Sequence, residues 1–92
     1  MLYPFLTTID KTEISYSELL HDADNQPCVR VFVERWNDKR NDFDALEVYL
    51  PSGKITKAVG FSKQEIDQNM QHILNLQDVI LECAAEESAA IA

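Results

Sequence analysis

Between Cys28 and Trp36 every second residue is a valine, Val29, Val31 and Val33, with Arg30, Phe32, Glu34 and Trp36 set between them. Side chains alternate across a strand with period two, so this run is a β-strand with an apolar face and a mixed face. No helix can gather those three valines on one side. Whatever else the chain does, it must build a sheet and cover one of its faces. Ala45–Leu50 repeats the pattern, with Leu46, Val48 and Leu50 on one side and Glu47 and Tyr49 on the other. Pro51-Ser52-Gly53 is turn-forming, and Lys54–Gly60 returns as a third strand carrying Ile55 and Val59. Short connections make these three strands an antiparallel meander. Leu2–Thr8 is short and apolar, and Pro4 within it suits an edge strand.

Two Ser-x-x-Glu spacings have the form of helix capping boxes. Ser15–Glu18, followed by Leu19 and Leu20, predicts a short helix over residues 16–23, ended by the turn formers of Asp22–Pro27. Ser62–Glu65 predicts one long helix over residues 62–86. Its stripe of Ile66, Met70, Ile73, Leu74, Gln77, Leu81 and Ala84 would pack on the sheet. A second stripe, Leu76, Val79, Ile80 and Cys83, would face away, near His72, and residues 87–92 would fray. The expected fold is α+β. An antiparallel sheet of three or four strands packs against one long C-terminal helix, with a short helix near the N-terminus, as a single domain over residues 1–92.

Charge narrows the function. Eight Lys plus Arg face sixteen Asp plus Glu, a net charge of −8, which repels nucleic-acid backbones and anionic membrane surfaces. No apolar run approaches the roughly 20 residues of a membrane span. The N-terminus lacks the basic flank and cleavage site of a signal peptide. Cys28 and Cys83 form no C-x-x-C pair or disulfide framework. These features point to the cytoplasm, with both thiols reduced.

Chemical signatures are sparse. His72 and Cys83 stand eleven residues apart, about 16 Å along one helix, too far to share an ion. Asp22-x-Asp24 opens like a calcium loop, but Pro27 occupies the position of the required glycine and Val33 that of the closing glutamate. Gly53 and Gly60, the two glycines, make no phosphate-cradling loop. No cofactor or metal is expected. The residues marked for recognition are Arg30, Phe32 and Trp36 on the mixed strand face. Those marked as an interface are His72, Leu76, Val79 and Cys83 on the helix.

Pro27-Cys28-Val29-Arg30-Val31, the hairpin Leu46–Ile55, and Gly60-Phe61-Ser62 with its helix together resemble a family of small bacterial proteins of unknown function. That family is marked by a Pro-His-x-His strand, a hairpin and a C-terminal helix. Its genes often neighbour a second small protein, in an arrangement likened to toxin–antitoxin pairs. The resemblance spans roughly residues 26–84 and implies the fold. Cys28 and Arg30 replace the family's two histidines, so no histidine chemistry carries over. The expected function is a non-catalytic acidic module that binds another protein, antitoxin-, inhibitor- or adaptor-like, through a homodimer or with a partner of basic character. The alternative is a small hydrolase or metal-dependent enzyme around His21, Asp22, Asp24 and Cys28.

Overall fold

The valine strand lies in the interior of the sheet. The structure is a computed structural model, described for residues 1–91, without the side chain of Ile91. Six strands precede two helices: β1 (Leu2–Thr7), β2 (Glu13–Ser17), β3 (Leu20–His21), β4 (Pro27–Asn37), β5 (Asp42–Leu50), β6 (Lys54–Val59), α1 (Lys63–Asn75) and α2 (Gln77–Ile91). All pairings are antiparallel, in the order β1-β2-β4-β5-β6, and β3 continues the line of β2 by pairing the start of β4.

Register explains the core. Val33 lies between Ile14 and Leu46, Val31 between Tyr16 and Val48, and Val29 opposite Leu50. Ile73 from α1 and Ile80 and Ala84 from α2 close over this face. The three valines, Leu46, Val48, Leu50 and Ile80 are completely buried. Each such side chain contributes about 1.5–3 kcal/mol on leaving water.

The α+β class and the β4-β5-β6 meander agree with the sequence reading, while other details differ. No helix spans residues 16–23; β2 and β3 occupy that segment, which raises the strands to six. The period-two pair Ile14 and Tyr16 adds to the valine core, and that burial outweighs one capping box. Ser17 bridges the gap between β2 and β3: its Oγ accepts from the Arg30 amide at 3.0 Å and donates to the Glu18 carbonyl at 2.8 Å.

The single long helix is in fact two. Ser62 and Glu65 do form a reciprocal capping box at the start of α1. At Leu76 the helix stops: its amide donates to the Ile73 carbonyl at 3.1 Å, and its own carbonyl accepts from Ile80 at 3.0 Å to begin α2. Ile80, assigned by sequence to the outward stripe, is fully buried. It follows Ile73 by two turns and precedes Ala84 by one, so it lies beneath the same stripe. Leu74, assigned inward, is 41% exposed.

The segment expected to fray from residue 87 continues α2 to Ile91, and Ala92 lies outside the described residues. Ser88 Oγ accepts from the Leu19 amide at 2.8 Å, and the Tyr16 hydroxyl donates to Glu87 at 3.3 Å. The last turns of α2 are thereby fastened to the interrupted strand.

A polar network ends the core where β4 and β5 pass beyond Val33 and Leu46. Asp44, fully buried, accepts from Arg35 at 2.9 Å, Arg40 at 2.7 Å and Asn37 at 3.1 Å. Arg35 also donates to Glu65 at 2.6 Å, joining the sheet to the first turn of α1, and lies 4.9 Å from the centre of the Phe61 ring.

Candidate interaction face and its cavity

Because both helices cover the valine face, the other face of the sheet is left to its own side chains. Strand register arranges them in rows. Arg30 stands opposite Tyr49, and Tyr49 opposite Lys54. Phe32 lies between Ser15 and Glu47, with Lys57 beyond; Trp36 lies opposite Phe43. The Arg30 guanidinium sits 4.9 Å from the centre of the Phe32 ring. Trp36 and Phe43 meet edge to face at 5.2 Å, and both remain nearly half exposed. Trp36 Nε1 donates to Asp38 at 2.8 Å, which holds the indole at the rim.

The charge of this face differs from that of the molecule. Arg30, Lys54 and Lys57 balance Glu13, Glu34 and Glu47, so three cations meet three carboxylates and the face is neutral. The excess of acid lies elsewhere, on the exposed Asp78, Glu82 and Glu86 of α2, on Asp22, Asp24 and Asp38 of the loops and on Asp42 at the start of β5.

One end of the face is concave. The turn between β3 and β4 and the turn between β5 and β6, which contains the cis Leu50–Pro51 bond, rise on either side of a cavity of about 480 Å³. Asp22, Pro27, Cys28, Tyr49, Ser52 and Lys54 are among its lining residues. The volume lies within the range of small-molecule sites. Asp22 is occupied by its own turn, where Oδ1 accepts from the Asp24 and Gln26 amides, both at 2.9 Å.

The residues of the enzymatic reading are only partly brought together. Asp22 and Cys28 share the cavity, whereas His21 and Asp24 are exposed and outside its lining. Burial, and then the Asp22 carboxylate, push the Cys28 thiol up from its ordinary value. At neutral pH it is therefore held as the thiol, which is a poor nucleophile. Among the described residues no group of three His, Cys, Asp or Glu side chains is placed to hold a metal ion.

The recognition trio stands on the open face as its alternation implied. The helix quartet is divided. Leu76 and Cys83 pack against the core, while His72 on α1 and Val79 on α2 are exposed, with Asp78 and Glu82 on the outward side of α2. Sequence reasoning put Tyr49 on the outward side of its strand but did not join it to the recognition trio, and it passed over Phe43 and Lys54. Their signal was the hairpin register, which seats Tyr49 beside Arg30 once the Pro51-Ser52-Gly53 turn is fixed. Among the described residues no helix is long and apolar enough to cross a membrane. Compared with protein-family models, curated proteins and solved structures, the chain matches none of them.

Proposed function

We propose that the chain is a non-catalytic protein-interaction module of the cytoplasm, antitoxin-, inhibitor- or adaptor-like, and that it docks a second protein on the open face of its sheet. The observation that carries this reading is the gathering of Arg30, Phe32, Trp36, Phe43 and Tyr49 on a face that neither helix covers. Arg, Trp and Tyr dominate binding energy where a partner excludes water from them. The partner that fits is a protein of net positive charge. Two copies of a chain bearing −8 repel each other, while a basic protein is drawn in by the acidic loops and α2 and then settles on the neutral sheet face. The enzymatic reading has less support, since the thiol beside Asp22 is held protonated and His21 stands outside the cavity.

The test is capture of partners from native extract on wild-type protein and on a Trp36→Ala/Phe43→Ala double variant. A basic protein retained by the wild type should be lost from the variant, with affinity lowered about 30-fold or more. Equal retention by both would remove the open face from the interaction. A concentration-dependent dimer by sedimentation would replace the basic partner with a second copy.

A further inference from the structure

We propose that the cavity at the end of the open face is a receptor for a single carboxylate carried on a small apolar body. This goes beyond protein docking and does not depend on it. The strand order sets the layout. Asp22, just after β3, stands on one wall, Lys54, opening β6, stands on the other, and Pro27, Cys28 and Tyr49 from β4 and β5 lie between them.

Most polar groups here are already engaged. Ser52 Oγ donates to the Tyr49 carbonyl at 3.3 Å, Thr56 Oγ1 donates to the Glu47 carbonyl at 3.4 Å, and Asp22 accepts two backbone amides. The Lys54 ammonium and the Tyr49 hydroxyl, by contrast, have no ion-pair or hydrogen-bond partner among the described residues. Arg30, next in the row beyond Tyr49, lies outside the cavity lining with its guanidinium over the Phe32 ring, so Lys54 is the cation that faces the cavity. In a chain with twice as many acids as bases, a lysine and a tyrosine hydroxyl side by side, neither with an ion-pair or hydrogen-bond partner among the described residues, are an unmet demand for an acceptor. What the site leaves unused is donors and positive charge over an apolar floor, and its complement is an acceptor of charge −1 with an apolar body. Asp22 opposite selects against a phosphate dianion and orients the carboxylate toward Lys54.

The carboxylate has two possible sources, a free organic acid or the C-terminus of a peptide ending in an apolar residue. Both are distinguished by titrating the ¹⁵N-labelled full chain. With N-acetyl-leucine, saturable shifts should appear at Gln26–Cys28 and Tyr49–Thr56, with Kd on the order of 1 mM. N-acetyl-leucinamide should bind about tenfold more weakly. Lys54→Gln should lower the affinity for the acid about tenfold, and Tyr49→Phe about threefold, while Lys57→Gln, one row away, leaves it unchanged. A pentapeptide ending in leucine that binds more tightly than N-acetyl-leucine assigns the site to chain termini; one that binds equally or more weakly assigns it to free acids. Amide binding equal to that of the acid, or no saturable shift at about 20 mM, a concentration far above that Kd, overturns the proposal.

Discussion

Gly60 adopts φ +82°, and a Cβ built there would lie 1.9 Å from Asp44 Oδ1 and 2.3 Å from Arg40 Nη1. Gly53 has a similar φ of +76° but nothing within 4 Å of the same position. The two glycines therefore separate backbone strain from steric intrusion. Gly53→Ala should cost about 1 kcal/mol for the left-handed backbone alone. Gly60→Ala should cost about 3 kcal/mol or more, because it also pushes apart a buried carboxylate and its arginine. Thermal or urea unfolding of both variants measures the difference. The same network sets the acid response. Hydrogen bonds from Arg35 and then the Ser62 amide hold Glu65 below its ordinary 4.5. Burial raises Asp44, but bonds from Arg35, Asn37 and Arg40 outweigh it and bring it below 3.8. With both values depressed, the unfolded chain takes up protons first as the pH falls. Stability should hold from pH 7 to about 5 and then decline through the carboxyl range, and Glu65→Gln should flatten that decline. On the alkaline side, burial and then Glu87 push Tyr16 up to about 12, so folding weakens once the unfolded tyrosine ionises above 10.

At the scale of elements, legibility followed the length of each pattern. Three alternating valines in β4 and the Leu46-Val48-Leu50 run in β5 specified a sheet and the face it buries, because a slip of one residue would turn every apolar group outward. Ile14 and Tyr16 are only two alternating positions, and Ser15–Glu18 beside them has true capping spacing, so local chemistry pointed to a helix. Pairing with β4, a contact distant in sequence, decided for strand. The break at Leu76 left no glycine or proline to announce it, although the angular position of Ile80 was readable from its spacing to Ile73 and Ala84. The open face was legible through Arg30, Phe32 and Trp36, whereas the cavity was not, since it forms where two turns distant in sequence come together. Neighbouring substitutions on α2 test the helix assignment. Ile80→Glu should unfold the chain, burying an unpaired charge that costs several kcal/mol. Val79→Glu, at a position 47% exposed, should leave the unfolding midpoint nearly unchanged. Circular dichroism during thermal unfolding distinguishes the two.

For the whole molecule, one sheet is divided between two kinds of work. The valine face carries the cohesion of the fold with Ile73, Ile80 and Ala84, while the opposite face bears few contacts outside its own strands. Sequence drift on the two faces should accordingly proceed at different speeds. A library randomised at Arg30, Phe32, Trp36, Phe43, Glu47 and Tyr49 should yield mostly folded, protease-resistant clones. The same randomisation at Val29, Val31, Val33, Leu46, Val48 and Leu50 should yield very few, because those side chains are completely buried. A chain built this way can exchange one binding specificity for another while keeping its architecture, so its descendants could share a backbone and diverge in what they recognise.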